Sequence, residues 1–533
     1  MTSILLIHPP QAKAAEPPAG MAALAGCLRG QGVDCTLVDA NLECQLWLLA
    51  LARDPVDTWS TRALKHREAN LAALRDPATY ANTDRYQRAV RDCNRVLELA
   101  AAARPELTLN LANYEDSSLD ALASDDLLRA AANYRANLFF PWFEHHLGPL
   151  IAAKAPQYIG ISLCYLSQAL CSFSLIGFLR AAFPQIPLLL GGGLITSWMS
   201  HPSWTNPFAP LVDHCIAGPG EEPLLALFGL HPRHRDSAPD YSGLPLPDYL
   251  APGLILPYAA SRGCYWNKCT FCPEPAEQTR YRPIAPETVI THLRQLCRQT
   301  QPSLIHLLDN AISPAVLTAL IEAPPPAPWY GFVRFHEQLA DPDFCRGLRR
   351  SGCVLLKLGL ESGSQQILDA MRKGIDLPLV EQVLVALHQA GIATYVYLLF
   401  GTPAESLIEA RQTLAFVQHH YQEITFLNLA IFNMPIAGAE ARALAGTTFS
   451  QGDLSLYCDF RHPRSWDRRS IRTFLDKEFK RQPEIAAILR RDPPLFTSNH
   501  AAFLVTGSHH SKQKAEKSGR CRKFGAEKYS RHW

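Results

Sequence analysis

The sequence predicts an α/β chain built on two parallel sheets: a doubly wound unit with a helical insertion, then a partial (β/α)6 barrel, then a small helical C-terminal region. Three observations carry this. Short apolar runs alternate with helix-length segments near the N terminus and again beyond residue 254. Glycines gather at strand ends, as in Gly191-Gly192-Gly193. The later alternation runs through six β/α units, short of the eight of a closed barrel.

Taken in order, Ile4 to Ile7 forms a first strand, followed by a Pro-rich loop and a helix from about Ala19 to Arg29. A strand within "VDCTLVDAN" then places Asp39 at its carboxyl end. Residues from about 45 to 155 are rich in Ala, Leu and Arg and read as a helical insertion. Within it Tyr86, Val90, Cys93 and Leu97 recur at helical spacing, with Thr83 or Asp84 as the expected cap. His145-His146 reads as helix surface or core edge. The sheet resumes at Tyr158 with strand, helix and the strand "IPLLLGGG", then the segment "VDHCIAGPGEEPLLAL". No GxGxxG occurs, which argues against an ordinary dinucleotide site. The expected divisions are a first domain at 1–235, a linker at 236–253, the barrel at 254–445, a helical cap at 446–506 and a basic tail at 507–533. Barrel strands are expected near 255–260, 304–308, 329–335, 353–360, 394–400 and 424–432.

The chain has 533 residues, 47% of them apolar, and a net charge of +2, so its overall charge makes no case for nucleic acid as a partner. The tail holds eight Lys/Arg against two Glu and lacks apolar periodicity, which reads as a disordered, solvated extension. The 22 residues Tyr158 to Leu179 are uncharged, yet their serines and the strand–helix break favour a buried unit over a membrane span. Fifteen cysteines at irregular spacing, with no secretory signal, argue for a reducing cytoplasm rather than a disulfide framework.

One stretch stands apart. In "SRGCYWNKCTFCPE", Cys264, Cys269 and Cys272 form C-x4-C-x2-C in the loop after the first barrel strand. Functional groups of such barrels collect in those loops. A structural zinc site normally takes four protein ligands, usually as two separated pairs, and no second pair follows here. An iron–sulfur cluster also usually has four thiolates, so three leave one metal position open to a substrate or cofactor.

A strand followed by a clustered cysteine triad, with an aromatic (Phe271) before the last cysteine, resembles the radical S-adenosylmethionine (SAM) superfamily. "LGLESGSQQILDAMRKG" and "LLFGTPAES" resemble its fourth- and fifth-strand motifs. "YIGISL", "LLLGGG" and "GPGEE" resemble the subgroup with an N-terminal Rossmann-like, cobalamin-binding domain. The resemblance covers most of residues 1 to 440. It departs at three points: the triad usually reads C-x3-C-x2-C, the D-x-H-x-x-G motif of some cobalamin proteins is replaced by "HPPQAKAAEPPAG", and the G-E-G-E turn appears as Gly218 to Glu221.

The resemblance implies a 4Fe-4S cluster on Cys264, Cys269 and Cys272, with SAM on the open iron. Reduction, from a donor such as flavodoxin or ferredoxin, would then release methionine and a 5′-deoxyadenosyl radical. It further implies Phe271, Asp309, Arg334, Glu361 and Gly401 around SAM, and Gly191, Gly192, Gly193 and Glu221 beside cobalamin. Each has a plainer alternative. Phe271 is also a core residue, Asp309 a helix cap, Arg334 a salt-bridge partner and Glu361 a helix-start acid. Gly401 and the glycine triplet are also turn residues. The implied function is cobalamin-dependent methylation or rearrangement of an unreactive carbon in a small-molecule or peptide substrate. The alternatives are a radical SAM enzyme without cobalamin and a non-catalytic zinc or iron–sulfur scaffold. Arg262 and Lys268 flank the triad as charges that either ease cluster reduction or are simply solvated.

Overall fold

The apolar runs near the N terminus become strands buried on both faces, as parallel sheets require. They are β1 (Ser3–His8), β2 (Asp34–Asp39), β3 (Tyr158–Ser162) and β4 (Leu188–Gly191), joined at one edge by the short, more exposed β5 (His214–Cys215). In the computed structural model, which describes residues 2–51, 53–201, 204–231, 236–444, 452–493 and 500–505, these pair in the order β2-β1-β3-β4-β5. All pairings are parallel. The chain reverses direction across the sheet between β1 and β3, and ligands of doubly wound sheets sit at such a switch point. The basic tail and parts of the expected cap lie outside the described residues.

Helix α1 (Ala19–Arg29) covers one face of this sheet, burying Met21, Ala22, Ala25 and Leu28. Within the insertion, α2 (Thr83–Ala101) buries Tyr86, Val90, Cys93 and Leu97, the face its periodicity predicts. Its cap is Asn82, whose side chain accepts from the Arg85 N–H at 3.0 Å. The expected caps, Thr83 and Asp84, instead fall in the first turn, where an acid favours the helix dipole. The uncharged stretch splits into β3, a short turn at Leu166–Gln168 and α3 (Ala169–Ala182). Among the described residues no helix is long and apolar enough to cross a membrane. Two shorter helices follow, α4 (Gly193–Met199) and α5 (Glu221–Leu227).

The Pro-rich segment 236–253 is packed down rather than loose. Tyr241 is buried and donates to the Pro257 carbonyl. The Tyr249 hydroxyl donates to Asp39 at 2.6 Å. A Cβ on Gly26 would lie 2.0 Å from the Ala238 carbonyl oxygen, so glycine there lets the segment lie against α1.

Six further strands follow: β6 (Ile255–Tyr258), β7 (Leu304–Leu307), β8 (Trp329–Val333), β9 (Cys353–Glu361), β10 (Ala393–Phe400) and β11 (Phe426–Ile431). They pair in sequence order, all parallel, and β6 does not pair with β11, so the barrel is open. Side chains alternate along each strand. Leu256, Ile305, Leu356 and Leu358 pack in a core shared with the covering helices and with Ile4 and Leu6 of the first sheet. On the other face, His306, Tyr330, Phe332, Lys357 and Tyr397 stand across neighbouring strands and contact one another inside the barrel. Helical segments Arg468–Phe474 and Pro483–Leu489 close one side through Ile471 and Ile488.

Candidate active site at the barrel mouth

The cysteine loop starts and ends in a small antiparallel ladder, Ser261–Arg262 against Arg282–Pro283. Asp309 secures its entry. The buried carboxylate accepts from the Ala260 N–H at 3.0 Å and from the Ser261 hydroxyl at 2.5 Å, and burial raises its pKa. The longer C-x4-C spacing is taken up by a left-handed turn at Asn267, φ 47°. Asparagine tolerates that conformation better than most residues.

Trp266 pins the middle of the loop to the segment after β9. Its indole N–H donates to the Arg372 carbonyl at 2.9 Å, and Arg334 and Lys268 lie 4.5 and 4.7 Å from the ring centre. A Cβ on Gly374, φ +65°, would come within 2.0 Å of that ring. The Thr270 N–H donates to the Met371 carbonyl at 3.0 Å.

All three thiols are free of disulfides. They sit within electrostatic reach of one another: Cys264 disfavours ionisation of both Cys269 and Cys272, and Cys269 that of Cys272. Burial is the larger cause in each case, pushing Cys272 up to about 12 and raising Cys269, while Lys373 and Arg334 pull Cys269 back down. The bare Cys269 and Cys272 thiols are therefore protonated at neutral pH, and the positive charge of a metal is what would ionise them. The Arg334 guanidinium comes to 4.0 Å from the Cys269 sulfur and also donates to the Lys373 carbonyl. Lys373 pairs with Glu361 at 2.7 Å, both nearly buried, and its ammonium lies 5.4 Å from the Phe271 ring centre. Glu361 adopts φ +69° at the end of β9, where the register shifts. Gly359 beneath it must lack a side chain, since a Cβ would meet the Glu361 carboxylate at 2.5 Å.

Cys264, Cys269, Cys272, Phe271, Arg334 and Glu361 thus come together at one end of the barrel, with Lys373 and Trp266 added to them. Asp309 stands beneath the loop with its carboxylate already engaged. Gly401, φ +87°, ends β10, and its N–H donates to Glu405. It lines a separate cavity of about 240 Å³ with Phe432, His462 and Trp466.

The sequence alone gave no role to Trp266 or Lys373. A lone lysine or tryptophan in a loop has no periodic signature; only the packing of Gly374 and Met371 against the cysteine loop shows what they do.

On the first sheet, the switch point between β1 and β3 is built from amides. Gln168 Nε2 donates to the Pro9 carbonyl at 2.6 Å, and its Oε1 accepts from the N–H groups of Cys164 and Tyr165, both at 3.0 Å. Tyr165 and Leu166 beside it are 58% and 40% exposed, an apolar edge open to a large ligand. Gly192, φ +109°, is required by the fold itself, because a Cβ would lie 2.3 Å from the Leu163 carbonyl oxygen. At Gly191 and Gly193 the nearest atoms stand at 3.4 and 3.6 Å. The Glu221 carboxylate is held in a two-pronged pair by Arg262, which ties α5 to the cysteine loop. A cavity of about 230 Å³ lies between α4 and that loop, lined by Ser197, Trp198, Pro273, Glu277 and Tyr457. Ser197 and Glu277 bond across it at 2.7 Å.

A doubly wound sheet set against an open six-stranded barrel, with three thiols in the loop after the first barrel strand, defines a class, and the comparisons agree with it. Residues 258–417 match the model of the Radical SAM superfamily, and this stretch is a radical SAM domain. A curated relative, bacteriochlorophyllide d C-12(1)-methyltransferase of Chlorobaculum tepidum, is 28% identical over 211 residues. That match covers 38% of this chain and 45% of the relative, so it spans less than half of the relative's length.

Among solved structures, the radical SAM methyltransferase TsrM from Kitasatospora setae, with tryptophan substrate and a SAM analogue bound, superposes with a TM-score of 0.56. The superposition covers 97% of this chain and 100% of that one, at 14% identity. The cobalamin-dependent SAM radical enzyme OxsB, with aqua-cobalamin bound, superposes at 0.55 over 90% of this chain and 67% of its own, at 12% identity. At such identities the likeness is one of fold.

Proposed function

We propose that this chain is a radical SAM enzyme that uses cobalamin to methylate an unreactive carbon, with a 4Fe-4S cluster on Cys264, Cys269 and Cys272. The observation that carries this reading is the setting of the three thiols: mutually close, free, and flanked by Arg334 and Lys373 at the mouth of an open barrel. Among the described residues no three His, Cys, Asp or Glu side chains converge on a single-ion position. A closed zinc site asks for such convergence, whereas a cubane takes one thiolate per iron and wants its thiols spread around a volume. The match of residues 258–417 to the Radical SAM superfamily model supports the cluster over the zinc scaffold.

When bound, the cluster and SAM supply the radical and methyl-transfer chemistry. The chain's own groups hold and orient. Arg334, a planar cation beside Cys269, suits a carboxylate such as that of SAM and lowers the cost of thiolate charge. Glu361 offers a carboxylate to the SAM ammonium or ribose, and Lys373, 2.7 Å away, fixes its position. Phe271 offers its face to adenine, while Gly401, its N–H taken by Glu405, lines a separate cavity and is given no part in holding SAM.

The amide-built switch point of the first sheet, with Tyr165, Leu166, Gly191 and Gly193 around it, is the proposed seat of cobalamin. No histidine ligand to cobalt is proposed. In this reading Glu221 locks that domain to the cysteine loop. A low-potential electron donor is required.

The test is anaerobic reconstitution with iron and sulfide, with and without added cobalamin. The expected result is four irons per chain, cobalamin absorbance that survives desalting, and reductant-dependent S-adenosylhomocysteine or 5′-deoxyadenosine from SAM. One zinc per chain with no SAM cleavage would overturn the reading. Iron–sulfur binding and SAM cleavage with no retained cobalamin would leave a radical SAM enzyme that has lost cobalamin.

A further inference from the structure

The cavity between α4 and the cysteine loop is walled from three directions. Helix α4 supplies Ser197 and Trp198, and the segment after Cys272 supplies Pro273 and Glu277. The antiparallel ladder of Met434–Pro435 with Tyr457–Cys458 supplies Pro435 and Tyr457. The volume of about 230 Å³ is room for a small molecule, or for one end of a larger one. Pro273 follows Cys272 directly, and the Tyr457 hydroxyl lies within electrostatic reach of both Cys272 and Glu277. The space therefore stands beside the third thiol of the triad.

Its charged walls have one sign. Glu277 and Asp453 line the cavity, and among the described residues no lysine or arginine does. Glu277 is half-buried, and its one hydrogen-bond partner among the described residues is the Ser197 hydroxyl at 2.7 Å. Burial raises its pKa, and the charge of Glu274 raises it further. Asp453 is exposed, with one oxygen accepting from the Ser124 N–H at 2.8 Å. A half-buried carboxylate with no base opposite lacks its counter-charge, and a bound cation would supply it.

Aromatic rings make up much of the rest. Trp204 and Tyr457 are half-buried, and Trp198 forms the deeper wall at 2% exposure. Aromatic faces attract cations, more strongly where water is displaced. Carboxylates among aromatic rings thus suit a protonated amine on an apolar body. A carboxylate or phosphate on the ligand would meet Glu277 and Asp453 and be repelled.

We propose that this cavity holds the protonated amine of the substrate against Glu277, and that the substrate is a small amine carrying no acidic group. This deepens the methyl-transfer reading by naming a substrate class, and rests on that reading only for the reaction that follows binding. No covalent step is involved.

The test reads binding alone. The full chain, with and without reconstituted cluster, is dialysed to equilibrium near neutral pH against three separate probes. These are 2-phenylethylamine, its neutral analogue 2-phenylethanol, and phenylalanine, which adds a carboxylate to the same amine. The expected result is saturable binding of 2-phenylethylamine, about tenfold tighter than that of either other probe. Glu277→Gln preserves an acceptor for Ser197 and is expected to level the amine with the alcohol. Should that variant fail to fold, Ser200→Trp, which fills the cavity from the end of α4, is expected to abolish amine binding. No saturable binding of the amine, equal binding of amine and alcohol, or phenylalanine binding as tightly as the amine would each overturn the proposal. So would a preference that survives Glu277→Gln, or amine binding untouched by Ser200→Trp. Loss of amine binding on adding cobalamin would also overturn it, by making the cavity part of the cobalamin seat. A chain that binds the amine but holds no iron–sulfur cluster would fail the proposed function and keep this inference; cluster, cobalamin and SAM cleavage without amine binding would do the reverse.

Discussion

The two parallel sheets of this molecule finish their carboxyl edges in opposite ways. On the first, neutral amides hold the loops after β1 and β3, with Asp39 at the end of β2 the one carboxylate named there, accepting from Tyr249. Gln168 bridges the loops after β1 and β3, Asn41 Oδ1 accepts from the Ala12 N–H at 2.7 Å, and Gln45 Nε2 donates to the Ala12 carbonyl at 2.7 Å. On the second, the work falls to charges: Asp309 under the cysteine loop, Glu361 with Lys373, Arg334 beside Cys269, and Lys357 deeper in. Amides fix a loop without creating a strong field, which suits a large ligand held by shape. Buried ions fix both a loop and a potential, which suits thiolates and a zwitterion. The difference teaches that one topology yields two kinds of site according to what satisfies its loop backbone.

The largest expected effect is on the charged edge. Cys269→Ala is expected to reduce bound iron and SAM cleavage to background while far-UV circular dichroism stays unchanged; retained iron and cleavage would refute the ligand assignment. Next comes the buried pair. Lys373→Ala strands Glu361 as an unpaired buried charge and should cost about 3 kcal/mol in denaturant unfolding, of which Lys373→Met with Glu361→Gln recovers much. An effect below about 1 kcal/mol would show that the charges of this edge are solvated and that the contrast with the amide edge is overstated.

A third prediction concerns Glu405, which is wholly buried. Its Oε2 accepts from the N–H of Gly401 and, at 2.9 Å, from the Trp466 indole, while Oε1 has no hydrogen-bond partner among the described residues. Burial raises its pKa from 4.5 to about 7. Between those values the folded protein holds a proton that the unfolded chain has released, so stability falls as pH rises from 4.5 to 7, by about 3 kcal/mol in all. Glu405→Gln mimics the neutral acid and should remove that slope in unfolding midpoints taken across the range. An unchanged slope would mean that the carboxyl ionises freely.

The smallest effect belongs to the neutral edge. Gln168→Ala loses several hydrogen bonds at about 1 kcal/mol each, so about 2 kcal/mol is expected in denaturant unfolding, with iron content untouched. A fall in iron content on that substitution would show that the two edges are coupled and not independent.

The backbone framework was readable from the sequence because it depends on periodicity. The 3.6-residue spacing of Tyr86, Val90, Cys93 and Leu97 predicted the buried face of α2, and the apolar runs predicted the barrel strands to within a few residues. The cap of α2 was misplaced by one residue, since Asn82, Thr83 and Asp84 are all capable caps and only the turn geometry chooses among them. The Pro-rich segment 236–253 reads as a linker by composition, yet Tyr241 and Tyr249 bury themselves across both units. Lys357 was legible only as an oddity in an apolar strand, because the residues that give it meaning lie 51 and 341 positions away.

The sequence by itself determined that this chain alternates strands and helices and that three thiols follow the first barrel strand. Those are local facts, written in spacing and residue type. Only the tertiary structure decided which charges stand beside the thiols, that Glu221 is taken by Arg262, and that Glu16 reaches His306 across the two units. The reason is physical: Coulombic and hydrogen-bond partnerships depend on distance in space and on burial, and neither is a property of position along the chain.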